Sequence, residues 1–119
     1  MSKVLVCGSR GITDRFWVTY AMSKAPLDYD LIIHGGARGV DSLAGEVAQN
    51  SGIPVKVVKP DWNKHGKKAG ILRNKEMVDE ADAVIAIWDG KSRGTKHSID
   101  YAHSKGKPVY VTKVEDEKP

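Results

Sequence analysis

Apolar residues come in five short runs, separated by longer stretches of mixed polarity. The runs cover residues 3–7, 30–34, 54–58, 83–87 and 108–112, and each is rich in Val, Ile or Leu with little alternation. Runs of that kind predict strands buried on both faces of a parallel sheet. Between them, residues 14–24, 40–51, 68–80 and 95–105 place their apolar positions at helical spacing. Phe16, Trp17, Tyr20 and Ala21 mark the first of these stretches. Val40, Leu43, Ala44, Val47 and Ala48 mark the second, and Ala69, Leu72 and Met77 the third. Gly52 and Gly106 follow the second and last stretches, where a helix C-terminus favours glycine.

Strands and helices therefore alternate from end to end. Alternation at these lengths predicts an α/β fold: a Rossmann-like, doubly wound parallel sheet of about five strands with helices on both faces. The expected strand order is 3-2-1-4-5. Such an order reverses between strands 1 and 4, and ligands of these sheets bind there, outside the carboxyl ends of the strands.

Composition narrows the picture. The chain has 119 residues, which suits one domain over residues 1–119, with residues 113–119 expected as a polar, frayed tail. The single cysteine, Cys7, lies in an apolar run and is expected as a buried, reduced thiol. No leader and no membrane-length apolar run is visible, so a cytoplasmic location without membrane partners is expected. His34, His65, His97 and His103 show no ligand spacing, and neither a metal site nor a cofactor is expected. A net charge of +4 suits an anionic ligand.

The candidate chemistry sits in three strand-to-helix loops. The first holds Gly8, Ser9, Arg10 and Gly11, with Thr13 or Asp14 available to cap the next helix. Its glycines admit close backbone approach, and Arg10 offers a fork suited to phosphate. The second holds Gly35, Gly36, Ala37, Arg38, Gly39 and Asp41, and runs straight into a helix. Backbone N–H groups at such a helix start favour an anion. Asp41 suits either a ligand hydroxyl or the helix dipole. The third holds Asp89, Gly90, Ser92, Gly94 and Thr95, where Asp89 could accept ribose hydroxyls. Each loop alone would also serve as an ordinary turn. Trp62 and His65 lie among lysines in a long loop after the third strand, as a stacking surface or a lid.

Taken in order, these motifs resemble the SLOG superfamily, most closely its small stand-alone YspA-type members. The marks are Gly8-Ser9-Arg10, the run from His34 to Asp41, Ala69-Gly70 with Arg73-Asn74 and Met77, and Trp88-Asp89-Gly90 with Ser92-Arg93-Gly94-Thr95. The resemblance implies binding or sensing of a nucleotide or nucleotide-derived ligand, and adds Arg73 and Asn74 to the site. It also implies a possible homodimer or higher homo-oligomer. Two alternatives come from related branches. In LOG-type phosphoribohydrolases an Arg-x-x-x-Met segment is catalytic, which Arg73 and Met77 match. Their catalytic glutamate, however, falls on Ser98 here. DprA proteins carry an Ala-Arg-Gly-Ile-Asp segment similar to Ala37–Asp41 and bind single-stranded DNA, so nucleic acid is the other alternative partner.

Overall fold

A computed structural model describes residues 2–115 and 118–119. The strands are β1 (Lys3–Gly8), β2 (Leu31–His34), β3 (Val55–Val57), β4 (Ala83–Trp88) and β5 (Val109–Lys113). The helices are α1 (Arg15–Lys24), α2 (Val40–Asn50), α3 (Trp62–His65), α4 (Ala69–Glu80) and α5 (Arg93–Ser104). All pairings are parallel, in the order β3-β2-β1-β4-β5. The expected architecture and strand order are both present.

Alternation along β1 divides the interior in two. Val4 and Val6 face one way and join Ile32, Ile85 and Ile87 under α1 and α2, with Trp17, Val18, Ala44 and Ala48. Leu5 and Cys7 face the other way and join Ile33, Val84 and Ala86 under α4 and α5, with Met77, Val78, Ile99 and Ala102. Each face is closed by one helix pair, as parallel crossovers require. Trp17 and Cys7 are both buried, as expected from their settings.

Burial on both faces holds for β1 and β4 and fails at the edges. All of β3 is exposed, and β5 is only half-buried. An edge strand has one neighbour in the sheet, and neither edge is fully covered by a helix. The run at 54–58 accordingly shortens to three paired residues, after which Val58 turns inward and its N–H donates to the His34 carbonyl at 2.9 Å.

The segment expected as a loop after β3 contains α3 and a 3-10 turn at Gly66–Lys68. The Asp61 carboxylate accepts from the Lys64 N–H at 3.1 Å and caps α3, a local bond that apolar periodicity does not reveal. Helix α5 starts at Arg93, ahead of the expected residue 95, because Ser92 serves as its N-cap. At the other end, β5 takes in Lys113, the first residue of the expected tail. The Val114 N–H extends the ladder to the Trp88 carbonyl at 2.8 Å. Beyond it, Lys118 pairs with Asp14 at 2.6 Å, while Asp116 and Glu117 lie outside the described residues.

Candidate ligand pocket

The first and third glycine-rich loops meet where the sheet order reverses. Ser9 is buried at the end of β1. Its N–H donates to the Ile87 carbonyl at 3.1 Å, and its hydroxyl oxygen accepts from the Asp89 N–H at 3.1 Å. One small side chain thus ties the loop after β1 to the loop after β4. Gly8 is required beside it, because a Cβ there would collide with the Ile87 carbonyl and with Val40 of α2.

The second loop is held from inside. The Asp41 Oδ2 accepts from the Gly35 N–H at 3.0 Å and the Ala37 N–H at 3.2 Å. His34 Nδ1 accepts from the Gly36 N–H at 3.0 Å. Arg73, reaching over from α4, donates from Nη1 to the Gly35 carbonyl at 2.7 Å and to the Val58 carbonyl at 3.3 Å. Its Nε donates to Asn74 Oδ1 at 2.9 Å. The N–H groups of Gly35, Gly36 and Ala37 are therefore occupied within the protein.

Unspent donors lie one step further along. Helix α2 is N-capped by Gly39 at φ +77°, without a side-chain bond. Leu43 is the first residue whose N–H reaches back to the Gly39 carbonyl, at 3.1 Å. The N–H groups before it at the helix start have no intrahelical acceptor. By contrast, Asp14 caps α1 and Ser92 caps α5. Gly39 also lets the two loops touch, since a Cβ there would stand 2.5 Å from the Arg10 carbonyl oxygen.

The third loop is organised by Asp89, whose Oδ1 accepts from the Lys91 N–H at 2.7 Å and the Ser92 N–H at 2.8 Å. Those bonds, Ser92's foremost, hold its carboxyl below the usual aspartate range and keep it ionised. Gly90 takes φ +82° to complete the turn. The Ser92 hydroxyl lies 3.0 Å from that of Thr95. Ser98 is buried and donates to the Gly94 carbonyl at 3.3 Å.

These loops and one face of α4 enclose a pocket of about 500 Å³. Of the residues singled out in the loops and on α4, Gly8, Ser9, Arg10, Gly11, Ala37, Asp41, Arg73, Asn74, Asp89, Ser92, Gly94 and Thr95 line it. Gly35, Gly36, Gly39 and Gly90 shape the loops around it without lining it, and Arg38 is exposed and does not line it. Cys7, Lys67, Gly70, Ile71 and Ser98 line it too, outside the expected set, as does Met77. Ile71 carried a signal of its own: it is an apolar residue on the exposed face of a helix.

Burial dominates the electrostatics. The Asp41 carboxyl is raised above its ordinary value by burial, against the pull of the Ala37 and Gly35 N–H groups, His34 and Arg73. Burial also lowers the Arg73 pKa; Asp41 pulls it back up, and the neighbouring Arg10 cation lowers it. The Cys7 thiol is pushed up to about 12 by burial and then by the Asp41 charge, so it is not a thiolate nucleophile near neutral pH. Asp41 and Asp89 are the carboxylates of the pocket. No helix among the described residues is long and apolar enough to cross a membrane.

Comparison with known proteins agrees with this fold. The model of a family described as "YspA, cpYpsA-related SLOG family" matches residues 2–65. The Gene 61 protein of Mycobacterium phage D29 is 40% identical over 118 residues, covering 92% of this chain and 94% of that protein. The structure of DNA processing protein A (DprA) from Streptococcus pneumoniae superposes with a TM-score of 0.77 at 20% identity. It covers 98% of this chain, which spans only 52% of the DprA chain. At that identity the likeness is one of fold.

Proposed function

The chain belongs to the YspA, cpYpsA-related SLOG family, and from that premise we propose that its pocket binds or senses a nucleotide or nucleotide-derived small molecule. One observation carries the reading. The α2 start, with its free N–H groups and no side-chain cap, opens beside a pocket lined by Arg10 and Arg73 at the sheet's switch point. In this reading a phosphate sits at the helix start, with the Arg10 guanidinium beside it. Asp89 keeps Oδ2 clear of its own turn and suits a sugar hydroxyl. Ile71 and Met77 give the opposite wall an apolar surface for a base. Arg73 acts in this reading as a clasp on the glycine loop that also adds positive charge.

Thermal-shift and calorimetric titration against nucleoside phosphates and ADP-ribose-type dinucleotides tests the proposal. At least one should stabilise the protein, and Arg10→Ala should weaken it. A folded protein that responds to none of them overturns the reading.

A second reading, single-stranded nucleic acid, is favoured by one surface. Trp62 is 57% exposed and stands among exposed Lys59, Lys64, Lys67 and Lys68. It predicts oligonucleotide affinity that falls steeply with salt. A hydrolase reading would use Arg73 with Asp41 or Asp89, since Ser98 supplies no carboxylate. Release of free base from a nucleoside monophosphate would identify it.

A further inference from the structure

Gly36 makes a demand on its neighbour. Its N–H donates to His34 Nδ1 at 3.0 Å, so that nitrogen must present a lone pair. The imidazole is then neutral with its proton on Nε2. That second nitrogen lies against α2 at Gly45, where an added Cβ would stand 3.0 Å away. It opens onto a groove lined by Ser42, Gly45, Glu46, Gln49, Ile53 and Val55. Gly45 lies inside a helix, where glycine costs about 1 kcal/mol relative to alanine. There it leaves the Nε2 edge of a ring that is only 7% exposed within reach of solvent.

We propose that His34 is a positioning residue for the pocket: neutral, it holds Gly36 and the loop leading into α2, and protonated, it releases that loop and weakens anion binding. This rests on the anion-binding reading above. On the imidazolium, an Nδ1–H would confront the Gly36 N–H, donor against donor. Gly36 sits at φ +73°, and as glycine it can leave that conformation at little cost.

The charged groups around the ring are few. On α2, Asp41 favours the imidazolium, and Glu46 at the groove is paired with Arg15 of α1 at 3.2 Å. On β2's other neighbours, β1 carries no charge from Val4 to Cys7, and Val57 is the β3 register partner of His34. Lys56 on β3 is bound to Glu80 at 2.7 Å, Lys59 flanks Gly36, and Arg73 of α4 holds the adjoining Gly35 carbonyl. Burial outweighs Asp41 and moves the His34 pKa down, which keeps the holding form populated at neutral pH.

The test uses the full chain labelled with ¹⁵N. Long-range ¹H–¹⁵N spectra at pH 7.5 should show His34 Nδ1 unprotonated, and the Gly36 amide should shift in step with His34 as the sample is acidified. Binding is then measured with adenosine 5′-monophosphate and inorganic phosphate between pH 8 and 5.5. His34→Asn places an oxygen that accepts from Gly36 without titrating, and should keep wild-type affinity at pH 8 with a shallower acid limb. Both probes lose charge in that range, so the difference between the two proteins is the readout. It is expected to approach about tenfold for each pH unit below the His34 pKa. A protonated Nδ1 at pH 7.5, a Gly36 amide indifferent to His34, or identical acid limbs would overturn the proposal. If neither probe binds while the spectra behave as expected, the holding role stands and the anion-binding reading fails, with the affinity effect.

Discussion

Gly35 is gripped at both ends of its peptide unit, by the Asp41 carboxylate at the N–H and the Arg73 guanidinium at the carbonyl. A Cβ there would stand 2.5 Å from Arg73 Nη1 and 2.9 Å from Asp41 Oδ2. Gly35→Ala is therefore expected to displace the clasp and destabilise the protein by about 1–3 kcal/mol in urea unfolding. Asp41 separates structure from charge. Asp41→Ala strands two backbone donors and should cost about 1–3 kcal/mol. Asp41→Asn keeps an acceptor and removes a buried charge, so it should cost less and leave anion affinity equal or higher by calorimetry. His34 sets a pH dependence of stability as well. Its pKa is lower folded than unfolded, so acid protonates the unfolded chain first. The associated stability is complete above about pH 6.5, the ordinary histidine value, and is lost as pH falls towards the folded value. Urea midpoints across that range should decline for wild type and decline less for His34→Asn.

At the scale of elements, capping separates the loops. Asp14, Asp61 and Ser92 close the starts of α1, α3 and α5, whereas α2 begins on a bare glycine. Ser92→Ala should cost about 1 kcal/mol, read as a lowered thermal midpoint, by removing the bond to the Thr95 N–H. The loops were legible in the sequence because glycine, serine and arginine collected where apolar strand runs ended. How they would spend their hydrogen bonds was not. The Asp41 bond to Gly35 spans six residues and the Arg73 bond to the same glycine spans 38, and neither leaves a periodic trace. Composition therefore shows that the loop is rich in donors, but not that those of Gly35, Gly36 and Ala37 are bonded within the protein. The four residues of α3 were equally hidden, being too few to show a period.

For the whole molecule, the order of elements was enough to place the pocket, since a parallel sheet with strands on both sides of β1 has one reversal and therefore one crevice. What order alone could not supply was the contrast between centre and rim. The strands beside the crevice are sealed by helices on both faces, and the outer strands are not. Val55 and Val57 are 37% and 44% exposed on β3, and Val111 is 46% exposed on β5. Lys56 divides the two β3 valines, and Lys113 ends β5. A rim so short and so charged is a poor template for another strand, which protects the molecule from edge-to-edge growth. Lys56→Val would join residues 55–58 into four uncharged, β-branched positions. Such a variant should scatter light progressively at 37 °C under conditions in which the parent stays clear. The one lysine in the middle of β3, which does not line the pocket, would then be a guard against aggregation.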